Sequence, residues 1–149
     1  MKQKGHFTAF YIETLVMILV FVGIILVLTQ VFAAAKKKST EAKTLTTAVC
    51  LAENLAEAFQ AAETPDELYR LLDASGTHES DGSLSGSVNS FTALYNDDMK
   101  LAPGGAYRME MNWGAAESGQ ISGLVTVIHE GSALWSLPLS SAGKEGFAR

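Results

Sequence analysis

Three things are scarce in this sequence of 149 residues: cysteine, proline and, over its C-terminal part, basic side chains. The one cysteine, Cys50, cannot form an internal disulfide, so a folded domain must rest on its own apolar core. From Thr64 onward there are eleven Asp or Glu but only five Lys or Arg. Binding to nucleic acid depends on clustered Lys and Arg that neutralise phosphates, so this composition argues against nucleic acid as a partner.

Sequence signals for catalysis or for a bound metal ion are also missing. His78, Ser80 and Asp81 supply the residue types of a hydrolase triad, but triad members are brought together across a fold rather than within one loop. The glycine-containing segment 76–86 lacks the Gly-Lys-Ser/Thr ending of a phosphate-binding loop. The acidic pair 97–98 does not have the spacing of an EF-hand and is typical of a solvated turn. We therefore predict a protein that is not an enzyme and that uses no cofactor or metal ion.

The main positive feature is an apolar run near the N-terminus. Every residue from Leu15 to Leu28 is apolar or Gly, and the apolar pattern continues to Ala35. The hydrocarbon layer of a membrane is about 30 Å thick, and a helix needs about 20 residues to cross it. We therefore predict a transmembrane helix over 9–35, preceded by a short leader-like segment, 1–8.

A cleavable signal peptide is the alternative interpretation of this run. Such a peptide also begins with Lys residues, has an apolar core of about 7–15 residues and ends at a small-x-small cleavage site. Ala33, Ala34 and Ala35 could supply that site. The predicted helix 9–35 is longer than a usual signal core, contains Glu13 and leads directly into a further helical pattern, so we favour a retained anchor.

A second helical pattern follows the apolar run without interruption. It starts with three consecutive lysines and, from Ser39 to Ala62, contains neither Gly nor Pro. Apolar residues recur at helical spacing along one face of this segment: Leu45, Ala48, Ala52, Leu55 and Phe59. We therefore predict one long helix whose second half, 36–62, is amphipathic. Cys50 should be a half-buried residue of this helix, with an intermolecular disulfide as the alternative.

The remaining residues, 63–149, predict a small exposed α+β domain. Residues 64–67 read Thr-Pro-Asp-Glu, which supplies the N-cap, the first-turn proline and the capping-box glutamate of a helix. This helix should end near Asp73. The segment 75–90 is dominated by Ser and Gly and predicts a loop.

The last part of the chain has the pattern of an antiparallel sheet. Apolar and polar residues alternate over 107–113, which is the period of a half-buried strand. A turn over 114–119 should lead to a β-branched strand, 123–130, and residues 131–132 should connect it to a third strand, 133–139. A β-meander packed on the amphipathic half of the long helix would bury both apolar faces, so the predicted fold class is α+β.

The residues at the start of the helix carry a more specific signal. Lys2 and Lys4 precede Gly5, and the string Ile-Glu-Thr-Leu follows at 12–15. Together with a long N-terminal helix and a small sheet, these residues resemble the type IV pilin and pseudopilin superfamily. The resemblance implies that a prepilin peptidase cleaves the leader between Gly5 and His6.

The leader matches a different part of the family pattern in each of two registers, and neither register matches the whole pattern. Cleavage after Gly5 would make Glu13 the eighth mature residue, whereas the family places this glutamate fifth. Counting back from Glu13 makes Ala9 the first mature residue, with Thr8 where the family has Gly. Both starting points remain open at this stage.

The resemblance also implies a role for Glu13. In the family, this carboxylate meets the N-terminal amine of a neighbouring subunit and helps to select and register it. An ionised carboxylate in hydrocarbon is costly unless it is paired or neutralised, which agrees with such a role. The alternative is that Glu13 lies among the lipid headgroups, because few residues precede it.

The implied function is that of a non-enzymatic, membrane-inserted subunit of a type IV pilus-like or type II secretion-like assembly. Its implied partners are other pilin-like subunits and assembly-platform proteins, which it contacts through the N-terminal helix, together with membrane lipid and prepilin peptidase. Two alternatives remain: a single-pass membrane-anchored module that binds an unknown ligand, and a secreted domain released by signal peptidase.

The lysines at the end of the apolar run bear on topology. Lys36, Lys37 and Lys38 should lie at the membrane interface, next to anionic headgroups. They outnumber the lysines of segment 1–8, and the positive-inside rule taken alone favours a cytoplasmic C-terminal domain. The resemblance implies the opposite orientation, with the C-terminal domain outside the cytoplasm, and we follow the resemblance.

Overall fold

The structure is a computed structural model that describes residues 4–73, 82–87, 89–115, 120–142 and 145–147. Its elements, in chain order, are the helices α1 (Lys4–Ala61) and α2 (Pro65–Leu72), the strands β1 (Leu84–Ser87), β2 (Ser90–Tyr95), β3 (Tyr107–Ala115), β4 (Gln120–His129) and β5 (Ser132–Ala142), and a 3₁₀ turn (Glu145–Phe147). The α+β fold class is confirmed: one long N-terminal helix packs on an antiparallel β-meander.

The chain forms two compact units. The N-terminal unit is Met1–Ala42 and the C-terminal unit is Lys43–Arg149. Helix α1 is shared between them, because it runs without a break from Lys4 to Ala61. Neither Gly nor Pro interrupts it after Gly23, in agreement with the single long helix expected from the sequence.

The sheet has five strands in the order β1-β2-β3-β4-β5, and every neighbouring pair is antiparallel. Strands β4 and β5 form a hairpin in which His129 pairs with Ser132. The two turn residues are Glu130 and Gly131, with φ angles of 50° and 78°. Two successive positive φ values characterise the type I′ turn, which matches the twist of the flanking strands. The connection predicted at 131–132 is thus wrong by one residue.

Two of the predicted non-strand segments are partly strand. Leu84–Ser87 forms β1 and Ser90 begins β2, so the predicted loop 75–90 is wrong over these residues; 74–81 and 88 lie outside the described residues. The predicted turn 114–119 is wrong at 114–115, which end β3, and 116–119 lie outside the description. Strand β1 was missed because its small residues have no apolar alternation. A Cβ at Gly86 would overlap the hydroxyl of Tyr69, so a side chain here would require the Tyr69 ring to move.

The core of the C-terminal unit lies between α1 and the inner face of the sheet. The buried residues of α1 are Ala48, Leu51, Ala52, Leu55 and Phe59. In β3, the buried residues alternate as predicted: Tyr107, Met109, Met111 and Trp113 are buried, and the residues between them are exposed or half-buried. Leu45 was expected on the buried face but is 44% exposed, because burial along α1 begins only at Thr47. Cys50 is half-buried, as predicted.

Helix α2 begins with the expected cap. The Thr64 hydroxyl accepts a hydrogen bond from the Glu67 amide at 3.2 Å, and Pro65 occupies the first helical position. The Glu67 carboxylate in turn accepts a hydrogen bond from the amide of Glu63 at 2.8 Å, one residue before the cap. These bonds satisfy backbone donors that the start of a helix leaves without partners, so the turn between α1 and α2 is well defined.

The 3₁₀ turn closes one end of the core. The Phe147 ring packs edge-on against Phe59 and Trp113, with centroid distances of 5.1 and 5.6 Å. A Cβ at Gly146 would lie 2.5 Å from the carbonyl oxygen of Glu63, a separation that Cβ atoms do not adopt. The glycine thus lets the end of the chain approach the α1–α2 turn closely enough to bury Phe147.

Tyr95 makes the stability of the C-terminal unit depend on pH in the alkaline range. Burial raises the pKa of this phenol from 10.0 to about 12. The folded state therefore holds the proton more tightly than the unfolded chain does. Its contribution to stability is complete below pH 10 and is lost as the pH rises from 10 towards 12, a change on the order of 2–3 kcal/mol.

We therefore expect the free energy of unfolding to fall more steeply over this range in the wild type than in Tyr95→Phe. Urea unfolding of the full chain, followed by far-ultraviolet circular dichroism between pH 8 and 12, measures the difference. Other groups that titrate at high pH contribute equally to both proteins. Parallel curves for the two would contradict the assignment.

Candidate functional site: the apolar part of helix α1

The N-terminal unit exposes an apolar surface all around the helix. Every large apolar side chain from Phe10 to Phe32 is between 46% and 72% exposed. A helix that is apolar on all sides belongs in a core or in a membrane, and none of this segment is buried within the chain. Among the described residues there is one helix long and apolar enough to cross a membrane, and a signal sequence can also meet this criterion of length and composition.

The charge-free part of this helix is about as long as the hydrocarbon layer of a membrane is thick. The 22 residues from Thr14 to Ala35 contain no charged side chain. At the rise of an α-helix they extend about 33 Å, against about 30 Å for the hydrocarbon layer. Glu13 lies directly before this segment and Lys36 directly after it. If the helix spans a membrane, these two residues mark its two boundaries.

The Glu13 side chain is exposed, and its carboxylate forms no ion pair or hydrogen bond with any described side chain. Side chains of an α-helix lean towards its N-terminus. The carboxylate of Glu13 therefore leans away from the apolar segment and towards the nearer boundary. The backbone of Gly5 and His6, the predicted processing residues, lies in the first turns of the same helix.

Lys36, Lys37 and Lys38 are exposed at the other boundary. The Lys37 ammonium lies 3.9 Å from a carboxylate oxygen of Glu41, with side chains 80% and 63% exposed. An exposed pair of this spacing contributes only about 0.3–0.5 kcal/mol. The interaction is therefore too weak to prevent Lys37 from binding a headgroup instead.

The two threonines of the charge-free segment satisfy their hydroxyls within the helix. Thr14 donates to the carbonyl of Phe10 at 2.9 Å, and Thr29 donates to the carbonyl of Ile25 at 2.8 Å. A hydroxyl that bonds to the carbonyl four residues earlier needs no partner outside the helix. Neither threonine is therefore an obstacle to burial in lipid.

One face of the helix is built from small and polar residues, which sequence reasoning missed. Residues spaced alternately by three and four fall along one stripe, here called the narrow face: Ala9, Glu13, Val16, Val20, Gly23, Val27, Gln30 and Ala34. Apart from the two polar members, none is larger than Val, whereas Leu, Ile, Met and Phe occupy the other faces. Small residues let helix backbones approach closely in a membrane. The signal lies in side-chain size, so a hydropathy pattern does not reveal it.

The edges of the sheet are poorly suited to binding an extended peptide. Strand β1 has only four residues, and β5 contains Pro138, which pairs with Leu124 of β4. A proline is tolerated in a ladder where its nitrogen faces away from the neighbouring strand, so the open edge of β5 lacks a donor at this point. The register shift after Val127 further distorts this edge. Both devices oppose pairing with an added strand.

The C-terminal unit offers little else as a candidate site. In the described part of the chain, no group of three His, Cys, Asp or Glu could hold a metal ion. Asp97 and Asp98 lie in the β2–β3 connection. There the side-chain oxygen of Asn96 accepts a hydrogen bond from the Asp98 amide at 3.0 Å. His78, Ser80 and Asp81 lie outside the described residues.

Comparison with protein families, with curated proteins and with solved structures gives no match to this chain.

Proposed function

We propose that this protein is a non-enzymatic, membrane-inserted subunit of a pilus-like or type II secretion-like assembly. The observation that carries the proposal is the continuity of α1, whose charge-free segment is exposed on all sides and whose later residues form part of a domain core. A helix that is apolar all round requires a nonaqueous surrounding. Lipid provides one in the membrane, and the helices of neighbouring subunits provide one in a fibre.

The proposed partners are other pilin-like subunits and assembly-platform proteins that contact the apolar part of α1. The narrow face supports such contacts because its small residues permit close approach of a second helix. Glu13 would contribute by pairing its carboxylate with the N-terminal amine of a neighbouring subunit. Its position next to the charge-free segment supports this role, because an amine held at a membrane boundary could reach it.

A secreted domain is the second candidate, and one observation favours it. The C-terminal unit begins at Lys43, after the small residues Ala33, Ala34 and Ala35. Cleavage there would leave the whole of this unit on one product. The edges of the sheet, in contrast, do not favour a membrane-anchored module that binds its ligand by adding a strand.

The mature N-terminus distinguishes these possibilities. We expect co-expression with a prepilin peptidase to shorten the chain after Gly5, so that His6 becomes the first residue; a start at Ala9 would support the other register. Intact-protein mass spectrometry measures the product, with a processed pilin as the positive control. A start near Lys36 would instead support secretion. An unchanged chain beside a processed control would remove the processing claim and leave a plain anchor.

The orientation follows from the same proposal. We expect the C-terminal unit to lie outside the cytoplasm, so protease added to intact cells or protoplasts should digest it beyond Lys38. A cytosolic marker protein must remain intact in the same sample. Protection until the cells are lysed would show that the lysine count, rather than the resemblance, predicts the topology.

Glu13→Gln tests the assembly role. An amide costs less in lipid than a carboxylate, so insertion should be retained while incorporation into the fibre is lost. Removing one member of a buried ion pair leaves the other unpaired, at a cost of about 3–5 kcal/mol. Thr14→Val is the matched control, because the Thr14 hydroxyl bonds within its own helix. Equal incorporation of Glu13→Gln and the wild type would mean that Glu13 lies among headgroups and has no assembly role.

A further inference from the structure

Gln30 is a polar residue of the charge-free segment whose side chain has no partner among the described residues. The segment contains three uncharged polar side chains, and those of Thr14 and Thr29 bond within the helix. Gln30 is exposed, and its carboxamide makes no hydrogen bond to any described residue. In hydrocarbon, two N–H donors and a carbonyl acceptor would remain unsatisfied, which costs several kcal/mol.

Gln30 is also badly placed to reach water. Its Cα lies six residues, or about 9 Å along the axis, before that of Lys36 at the nearer boundary. Helical side chains lean towards the N-terminus, so the carboxamide leans away from this boundary and further into the hydrocarbon layer. The Glu13 side chain, in contrast, leans towards the boundary that is nearer to it. The same lean thus brings the Glu13 carboxylate towards water and keeps the Gln30 carboxamide from it.

We propose that Gln30 hydrogen-bonds to the Gln30 of a second, parallel copy of this chain and thereby joins their membrane helices. The inference rests on the membrane insertion in the proposed function. A carboxamide is electrically self-complementary, because its NH₂ group is partially positive and its oxygen partially negative. Two copies related by a twofold axis can therefore exchange a pair of hydrogen bonds.

The neighbours of Gln30 on the narrow face allow this contact. Gly23, Val27 and Ala34 lie on the same stripe, and a Cβ built on Gly23 meets no atom within 4 Å. Spacing by three and four in alternation is the pattern of helices that cross at a small, left-handed angle. Glu13 also lies on this stripe but is about 25 Å away, at the boundary, where water and ions screen the repulsion between two carboxylates.

The test measures association of the full chain in phosphatidylcholine vesicles. Two populations carry donor or acceptor fluorescent proteins at the C-terminus, and energy transfer is titrated against the protein-to-lipid ratio. We expect Gln30→Leu to weaken association about 5- to 30-fold, as found for polar contacts between model membrane helices. Thr29→Val is the matched control and should associate like the wild type, because the Thr29 hydroxyl is satisfied by Ile25.

Cross-linking reports which face makes the contact. In a Cys50→Ser background, oxidation should link copies that carry Val27→Cys, on the narrow face, far more than copies that carry Ile25→Cys, at similar depth on the opposite side. Adding Gln30→Leu should strongly reduce the Val27→Cys product. Equal cross-linking at both positions would contradict the assigned face.

The possible outcomes distinguish failure of the Gln30 contact from failure of membrane insertion. Inserted chains that show no energy transfer between copies, or equal transfer in the wild type and Gln30→Leu, would overturn the Gln30 contact and leave the proposed function standing. Recovery of the wild type in the soluble fraction, without lipid, would overturn membrane insertion and the Gln30 contact with it.

Discussion

The constraint on which the rest depends is that polar groups must be satisfied once helix α1 leaves water. The backbone meets it automatically, because an α-helix bonds its own amides and carbonyls. The two threonines meet it through carbonyls four residues earlier. What remains is a carboxylate at one end, a lysine cluster at the other and a single carboxamide between them. These few groups, rather than the many apolar ones, determine where the helix can sit and what it can contact.

The C-terminal unit solves a different problem with the last turns of the same helix. There, the apolar residues on one face of the helix are buried against the inner face of the sheet: Ala48, Leu51, Ala52, Leu55 and Phe59. Alanines alternate with larger residues on this face, so the helix can approach the sheet closely while Leu51, Leu55 and Phe59 fill the space. The open edges are short or interrupted by proline, which limits association through added strands.

Much of this fold follows from sequence patterns. The apolar run, the amphipathic segment after it, the cap at Thr64 and the alternation over 107–113 each involve a strong local signal. Strand β1 does not: Leu84–Ser87 contains one large apolar residue, and its strand conformation depends on pairing with β2. In β2, the outward-facing Leu94 weakens the alternation of Phe91, Ala93 and Tyr95. These two strands arise from tertiary pairing rather than local preference.

The candidate site also has some features that the sequence reveals and others that it does not. The charged residues that flank the charge-free segment, Glu13 and Lys36, are visible in the sequence. The narrow face is harder to find, since almost all of its residues count as apolar and only their size distinguishes them from the rest of the helix. Gln30 is easily noticed in the sequence as a polar residue in an apolar segment. Whether its side chain could reach water depends on its distance from Lys36 and on the direction of its side chain, which hydropathy does not reveal.

The direction in which helical side chains lean makes the two ends of a membrane helix chemically unequal. At the N-terminal end of such a helix, a short polar side chain leans out of the lipid, as that of Glu13 would if α1 spans a membrane. At the C-terminal end, side chains lean back into the lipid, so a long, flexible stem is needed to carry a charge out to water, as Lys36 has. The Gln30 carboxamide lies about one and a half turns before this end. Its side chain leans away from the water at this end and is too short to reach it. In a membrane, its hydrogen bonds would have to come from another helix, so the cost of inserting the carboxamide would favour association.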